Sequence, residues 1–241
     1  MHFAVPRWFA HRGGGMLAPE NTLAGIRLAA QMGYSAVEFD VMLSADGTPV
    51  LIHDETLERT TSGYGRVAET SDDILFSLNA GQGELIPRFS EAAVLCLELG
   101  LLANIEIKPS IGEERVTAEC VAQMTQKLWQ GAAVQPLISS FSLEALEISR
   151  DIAPEISRGL LFEAVPSSWL VESQRLQIST LHCDAELLTD EVLAEAQVRN
   201  IPVLCYTVNE MTLAEKLFSR GVSGLFTDRL DIFSSDIYPK Q

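Results

Sequence analysis

"TLHCDAELLTDEVLAEAQVRNIPVLCYTVNEMTLAEKLFSRGVSGLFTD", residues 180–228, contains three short apolar runs separated by two longer stretches with helical spacing. The runs cover residues 180–183, 203–207 and 224–227. Apolar runs of this length, each followed by a segment in which apolar residues recur every three or four positions, are typical of βα units. This stretch therefore predicts parallel strands connected by helices.

The same alternation continues towards the N-terminus. Five further strand candidates lie around residue 9 and at residues 37–41, 103–107, 137–140 and 158–162. Eight βα units in one chain predict a closed (β/α)8 barrel, the TIM barrel of the α/β class. The chain has 241 residues, of which 47% are hydrophobic, so we expect one sizeable core and a single domain over residues 1–241.

One interval between strands is longer than the others. Residues 42–102 separate the second strand candidate from the third, and residues 55–87 within them are rich in Thr, Ser, Gly and charge. Long inserts in compact domains usually serve as lids or binding loops. We therefore expect a small insertion after the second strand, at about residues 55–87, that passes over the mouth of the barrel.

Helix starts are indicated by four polar residues that precede helical patterns: Asn21, Ser142, Thr189 and Asn209. Each side chain can accept a hydrogen bond from the free backbone N–H groups of a first helical turn. We therefore expect these four residues to be N-caps.

The charge balance limits the classes of partner. Seventeen Lys and Arg residues against 33 Asp and Glu residues give a formal net charge of −16. Nucleic acids and anionic membranes attract basic surfaces, so we expect neither as a partner, and an anionic small substrate would need a locally positive site. No segment approaches the roughly 18–20 consecutive apolar residues of a membrane span.

The cysteines bear on the compartment. Cys96, Cys120, Cys183 and Cys205 lie in apolar runs and lack the CxxC spacing of zinc or redox sites. We expect buried thiols in a reducing compartment, and the absence of a basic, then apolar N-terminal leader favours the cytoplasm. The oligomeric state stays open.

Charged and titratable residues recur at the ends of the first three strand candidates. They are His11 and Arg12, then Glu38 and Asp40, then Glu106 and Lys108. In a TIM barrel the functional groups gather at the carboxyl ends of the strands. The three glycines after Arg12 allow a sharp turn there, so we expect these six residues at one rim of the barrel.

A hairpin after the second strand adds a second histidine. Asp46 and Gly47 form a favoured two-residue hairpin loop, in which both positions tolerate positive φ. With that loop, the numbers of cross-strand partners sum to 93, so His53 would lie directly opposite Asp40. Directly opposed residues point to the same side of a sheet, as do Glu38 and Asp40.

Three carboxylates close together favour a metal ion. Alone, Glu38 or Asp40 could be a paired structural carboxylate, but two on one strand face together with Glu106 are costly to bury without a cation. Such a set binds a hard divalent cation, Mg²⁺ or Ca²⁺, and the set contains no cysteine for a softer metal.

The remaining groups suit a phosphoryl substrate. Lys108 could simply neutralise Glu106, but together with Arg12 it can also hold an anion against the metal. His11 and His53 can act as acid and base, because imidazole titrates near neutral pH. The set predicts phosphodiester hydrolysis.

Five segments in this order resemble the glycerophosphodiester phosphodiesterase family: "HRGGGMLAPENT" (11–22), "EFDVMLSADGTPVLIHDETLERTT" (38–61), "NIEIKP" (104–109), "YTVN" (206–209) and "GLFTD" (224–228). The resemblance spans the chain. It implies a TIM barrel with a small insertion after the second strand, and hydrolysis of glycerophosphodiesters to sn-glycerol 3-phosphate and an alcohol.

By motif position, the resemblance also implies residue roles. His11 and His53 match the family's acid and base, Glu38, Asp40 and Glu106 its metal ligands, and Arg12 and Lys108 its phosphate-contacting cations. Tyr206 stands where tryptophan is commoner and is expected to line the glycerol pocket. Glu20 is expected to support Arg12 or the metal, or else to compensate the partial positive charge at the start of a helix. His182 lies outside these motifs and is expected to be structural.

Several alternatives remain at this level. Water could attack the phosphorus directly, or the adjacent glycerol hydroxyl could attack first and give a cyclic phosphate. The substrate could be a lysophospholipid or an inositol phosphodiester. A catalytically silent sugar-phosphate-binding barrel, or an aldolase-type barrel with Lys108 as the Schiff-base lysine, are further alternatives.

Overall fold

The computed structural model describes residues 5–237, with side chains up to Phe233. The strands are β1 (Trp8–Ala10), β2 (Ala36–Leu43), β3 (Pro49–Leu51), β4 (Leu102–Ile107), β5 (Leu137–Ser140), β6 (Ser157–Phe162), β7 (Thr180–Asp184), β8 (Val203–Tyr206) and β9 (Gly224–Thr227). The helices are α1 (Leu23–Gln31), α2 (Asp72–Leu75), α3 (Phe89–Leu99), α4 (Glu114–Leu128), α5 (Leu143–Ile152), α6 (Trp169–Leu176), α7 (Asp190–Val198), α8 (Met211–Arg220) and α9 (Leu230–Ile237), with a 3-10 turn at Val67–Glu69.

Eight of the strands close into a parallel barrel. The sheet runs β1-β9-β8-β7-β6-β5-β4-β2, and β1 pairs with both β2 and β9, which closes the ring. The predicted (β/α)8 barrel is confirmed, and each predicted strand agrees with the structure within two residues. Helices alternate with the strands, so all carboxyl ends of the strands open to one side.

The opposite end of the barrel interior is filled by apolar side chains. This plug consists of Phe9, Ala36, Leu102, Leu137, Leu204 and Phe226. The rings of Phe9 and Phe226 lie 4.8 Å apart. Burial of each large member stabilises the fold by about 1.5–3 kcal/mol. Because the plug fills one end, an interior cavity can open only towards the carboxyl ends of the strands.

The β2–β3 hairpin has a three-residue loop, residues 45–47, instead of the predicted two-residue loop. The backbone N–H of Ser44 donates to the carbonyl of Thr48 at 3.0 Å, and Gly47 has a φ of 77°. This is a turn followed by a left-handed glycine, a common three-residue hairpin connection.

The longer loop shifts the pairing by one residue. Asp40 faces Ile52, whose backbone N–H donates to the carbonyl of Asp40 at 3.3 Å. The prediction that His53 lies directly opposite Asp40 is therefore wrong. His53 still reaches the same side because β3 ends at Leu51 and the chain leaves the strand before it.

Two of the four predicted N-caps are confirmed. The side chains of Ser142 and Thr189 accept from backbone N–H groups three residues later, at 3.2 and 3.3 Å. For Asn21 and Asn209 the prediction is wrong: α1 is capped by Thr22, and α8 begins at Met211. Both asparagines instead hold carboxylates of the site described below.

Between β3 and α3 the chain forms its own small apolar cluster, which includes Leu57, Val67 and Leu75. The bounds of the insertion, about residues 55–87, and of the single domain, residues 1–241, stay predictions. The four cysteines are unpaired; three are buried, but Cys120 is half-buried, which differs from the prediction. Within residues 5–237, the helices are too short or too polar to cross a membrane.

Candidate active site

A cavity of about 140 Å³ opens at the carboxyl ends of the strands. All eight predicted site residues line it: His11, Arg12, Glu38, Asp40, His53, Glu106, Lys108 and Tyr206. The structure therefore brings together side chains from β1, β2, β4, β8 and the segment after β3. Their chemical roles are not fixed by this placement and stay predictions.

The turn after β1 depends on its glycines. Arg12 has a φ of 50°, and its backbone N–H donates to Oε2 of Glu38 at 2.9 Å. Gly15 has a φ of 54°, and a Cβ there would lie 2.3 Å from the carbonyl oxygen of Asp228. Only glycine fits, because any side chain would meet backbone. The turn thus packs against the end of β9 and directs His11 and Arg12 into the cavity.

The three acidic residues form a compact, buried cluster. Carboxylate oxygens of Glu38, Asp40 and Glu106 all lie within 4.8 Å of one another, and the side chains are buried. Burial, followed by the charge of Asp40, raises the pKa of Glu38 well above its usual value and that of Glu106 to about 8. Three buried carboxylate donors fit a hard divalent cation, which would relieve their mutual repulsion.

Two cations border the cluster on the side of Asp40. Arg12 Nε lies 3.9 Å from Oδ2 of Asp40, and Lys108 Nζ lies 3.6 Å from Oδ1. Asn21 also donates to Oδ2 of Asp40 at 2.9 Å and accepts from its backbone N–H at 3.1 Å. Arg12 is also bound to Glu20, so these two cations cannot neutralise three ionised carboxylates, which again favours a bound cation.

His11 is oriented by Asp228, 217 residues away in sequence. Its Nδ1 lies 2.7 Å from Oδ1 of Asp228, whereas Nε2 lies 3.9 Å from Oε2 of Glu38, inside the cavity. Asn209 fixes Asp228 by donating to Oδ2 at 3.1 Å and accepting from its backbone N–H at 2.8 Å. Burial alone would raise the pKa of Asp228, but the hydrogen bond and charge of His11 lower it.

His53 is oriented by its sequence neighbour. Its Nδ1 lies 2.5 Å from Oδ1 of Asp54, which is hydrogen-bonded to Arg59. Arg59 also donates twice to Glu20, at 2.8 Å each, and Glu20 accepts from Arg12 at 3.0 Å. This chain of contacts links the segment after β3 to the turn after β1. Glu20 thus lies beside Arg12, one of the two places expected for it.

Aromatic and apolar residues line the other half of the cavity. The Tyr206 hydroxyl donates to the carbonyl of Phe162 at 2.8 Å, and the ring of Phe141 meets that of Tyr206 edge-on at 6.1 Å. His182 lies at the side of the cavity, where its Nε2 is 2.8 Å from the hydroxyl of Thr180.

Several residues of the site were not predicted as such from the sequence: Asn21, Asp54, Arg59, Asn104, Phe141, Asn209 and Asp228. Some signals were present. Asp54 adjoins His53, and Asp228 follows a strand end as the identified charges do. The hydrogen bonds of Asn21 and Asn209 join residues 19 apart in sequence and depend on the closed barrel.

The buried His182 makes stability depend on pH. Burial lowers the pKa of His182 to about 3. The unfolded residue titrates near 6.5, so only the unfolded state takes up this proton as the pH falls below 6.5, and stability is lost. We expect the free energy of unfolding to fall by up to about 1.4 kcal/mol per pH unit from this group.

Urea unfolding of the wild type and of His182→Gln between pH 7.5 and 4.5 measures this contribution. The variant should show the shallower fall towards low pH. Equal slopes in the two proteins would show that His182 titrates in the folded state much as it does in the unfolded state.

A closed (β/α)8 barrel whose strand ends bring two histidines, three carboxylates and two cations to one cavity defines a phosphoric diester hydrolase. The model of the glycerophosphoryl diester phosphodiesterase family matches residues 11–232, and the chain belongs to this family. The match includes every predicted site residue. As a member of this family, the chain is an enzyme.

Individual relatives agree with this assignment. A glycerophosphodiester phosphodiesterase of Caldanaerobacter subterraneus subsp. tengcongensis is 30% identical over 91% of this chain and 92% of its own length. A phosphodiesterase of Oleispira antarctica, solved in complex with the product sn-glycerol-3-phosphate, is 36% identical over 96% of each chain, with a TM-score of 0.92. A glycerophosphodiester phosphodiesterase of Agrobacterium tumefaciens is 25% identical over 96% of this chain and 100% of its own, with a TM-score of 0.79.

Proposed function

We propose that this enzyme is a metal-dependent phosphodiesterase that hydrolyses glycerophosphodiesters to sn-glycerol 3-phosphate and an alcohol in the cytoplasm. The observation that carries the proposal is the convergence of His11, His53, the three carboxylates and two cations on one cavity. The similar Oleispira antarctica enzyme, which binds sn-glycerol-3-phosphate as product, supports the same product here.

Glu38, Asp40 and Glu106 would hold the metal ion. Their donors are all carboxylate oxygens, which suit Mg²⁺ or Ca²⁺. When bound, such an ion acts as a Lewis acid and stabilises negative charge on a phosphate oxygen. The Asn21 amide oxygen accepts from the Asp40 backbone N–H, and its amide nitrogen donates to the Asp40 carboxylate, which keeps that carboxylate in a fixed orientation.

Arg12 and Lys108 bind the phosphate group. Both lie on the cavity and are also attracted to Asp40, so their charges are held in place before the substrate arrives. Charges fixed in this way stabilise the negative charge that develops on the phosphoryl oxygens in the transition state. Glu20, itself held by Arg59, limits the rotation of the Arg12 side chain.

His11 and His53 transfer the protons. A carboxylate can only accept, so Asp228 and Asp54 hold the proton on Nδ1 of each ring and leave Nε2 for exchange. One histidine removes the proton from the attacking hydroxyl as its oxygen bonds to phosphorus. The other donates a proton to the alcohol oxygen as its bond to phosphorus breaks.

The test is product analysis in ¹⁸O-labelled water with Mg²⁺ or Ca²⁺ present. We expect free alcohol together with sn-glycerol 3-phosphate that carries the label in its phosphate. Phosphorylated alcohol with free glycerol, or no turnover of any glycerophosphodiester, would contradict the proposal. If a cyclic phosphate is trapped and 2-deoxyglycerol substrates are inert, the glycerol hydroxyl attacks first. If labelled product forms with no cyclic phosphate and 2-deoxyglycerol substrates are hydrolysed, water attacks directly.

A further inference from the structure

The mouth of the cavity has two chemically different halves. The half formed by β1, β2, β4 and the segment after β3 carries the histidines, the carboxylate cluster and the two cations. The half formed by β5–β8 brings Phe141, Leu161, His182 and Tyr206 to the cavity. A substrate with its phosphate on the first half must place another part of itself against the second.

Two carboxylates lie at the rim of the second half. Leu161 and His182 line the cavity; two positions further along the chain from each lie Glu163, which directly follows β6, and Asp184, the last residue of β7. Asp184 is the cross-strand neighbour of Tyr206 in the β7–β8 register. Glu163 directly follows Phe162, whose carbonyl accepts from the Tyr206 hydroxyl.

The charges of these carboxylates reach Tyr206. Burial is the largest cause of the raised pKa of Tyr206, and Asp184 and Glu163 are among the negative charges that raise it further. In the described part of the chain, neither carboxylate forms a salt bridge with Lys, Arg or His. Asp184 only accepts from backbone N–H groups, at 2.7 and 3.3 Å. The rim therefore places two carboxylates near Tyr206, whose ring contacts that of Phe141.

Asn104 indicates which end of the substrate points towards the rim. It is 1% exposed and lines the cavity, and its Oδ1 is buried without a hydrogen-bond partner within residues 5–237. A buried, unpaired amide oxygen favours a ligand that brings a donor, such as a hydroxyl group. A glycerol hydroxyl can donate the missing hydrogen bond to Oδ1 of Asn104 inside the cavity. The alcohol on the other side of the phosphate then lies nearer the mouth.

We propose that the enzyme prefers glycerophosphodiesters whose alcohol carries a positive charge, an ammonium or quaternary ammonium group held by Phe141 and Tyr206 and attracted by Glu163 and Asp184. Tyr206 then contacts the alcohol instead of the glycerol, which differs from the role that the resemblance implies for it. This inference rests on the proposed function and adds the class of alcohol. A cation is attracted to the face of an aromatic ring and more strongly where carboxylates are near. A zwitterionic diester then matches a mouth with phosphate-binding cations on one side and two rim carboxylates on the other.

The sharpest test compares two substrates of the same shape. Glycerophosphocholine carries a quaternary ammonium, and glycerol 3-phosphate esterified with 3,3-dimethylbutanol is its neutral isostere. We expect kcat/KM to be about tenfold higher for the choline ester, mainly through KM. The ratio should fall as the salt concentration rises, because the rim carboxylates are partly exposed.

Variants assign the preference to the rim. Glu163→Gln combined with Asp184→Asn, and separately Phe141→Leu, should lower the ratio of kcat/KM for the choline ester to kcat/KM for the neutral isostere to about twofold or less. Glu215→Gln, an exposed acid on α8, is the matched control and should keep the wild-type ratio.

Each outcome has a distinct meaning. A wild-type ratio near one, or a ratio that both rim variants preserve, overturns the cationic preference while hydrolysis of both esters leaves the proposed function intact. If neither ester is hydrolysed, the proposed function fails and this inference fails with it.

Discussion

Replacement of either His11 or His53 by alanine should lower kcat by about 10²–10⁴, the usual contribution of a positioned acid or base. Each imidazole has its Nδ1 tied to a carboxylate and the rest of the ring on the cavity. Alanine removes the proton carrier and leaves the barrel strands intact. Steady-state kinetics with a glycerophosphodiester, with circular dichroism to check folding, measures the loss.

The leaving group separates the two roles. An ester of glycerol 3-phosphate with p-nitrophenol has an acidic leaving group that departs without protonation. The variant that lacks the acid should therefore recover most of its rate on this ester, whereas the variant that lacks the base should not. If each variant loses as much activity on the p-nitrophenyl ester as on the glycerophosphodiester, separate acid and base roles are contradicted. If both variants keep near wild-type turnover, neither histidine is a catalyst.

Asp228→Asn is the companion variant for His11. The asparagine keeps the size of the side chain and its contact with Asn209 but no longer selects the Nδ1–H tautomer. Loss of the carboxylate that orients a catalytic imidazole lowers kcat, because the ring no longer holds the correct tautomer. We expect a smaller loss than for His11→Ala and little further loss when both changes are combined, because both act on the same proton transfer.

The sequence predicted the barrel well because strand formation here is a local property. Apolar runs such as residues 137–140 and 224–227 are bounded by polar segments, and the structure reproduces them without change. The acidic cluster was also predictable, since Glu38, Asp40 and Glu106 are carboxylates inside otherwise apolar strands. Such residues are rare unless a cation or ligand is present.

The errors concern features that one or two backbone angles decide. The hairpin register depended on whether Gly47 closes a two- or three-residue loop, and both loops fit the residues Asp46–Gly47. Asparagine favours the N-cap position, which predicts that role for Asn209, yet the closed barrel brings its amide to Asp228. Long-range pairing of this kind has no signature in the local sequence.

Glu106→Gln is the second substitution with a large expected effect. It should lower activity while the stability of the metal-free protein stays unchanged or rises. In the described chain no hydrogen bond to the Glu106 carboxyl is present, so glutamine removes an ionisable group without breaking a contact. Removing one of three mutually repelling buried carboxylates should leave the melting temperature measured in chelator equal to or above that of the wild type.

Activity should respond in the opposite direction. A metal ion supplies several kcal/mol of charge stabilisation in the transition state, so kcat should fall by about 10²–10⁴ in the variant. Chelation should inactivate the wild type, and Mg²⁺ or Ca²⁺ should restore it. The same ions should raise the melting temperature of the wild type but not that of Glu106→Gln, because a ligand stabilises only the state that binds it.

Asp72→Asn is the matched control, since Asp72 accepts from Ser44 and Thr48 away from the cavity. It should lower the melting temperature and keep the response to metal. If Glu106→Gln instead destabilised the metal-free protein by the 3–5 kcal/mol typical of a broken buried ion pair, Glu106 would be a structural partner of Lys108. In that case the acidic cluster would have a reason to exist without any ion, and catalysis would depend on the two cations and two histidines alone.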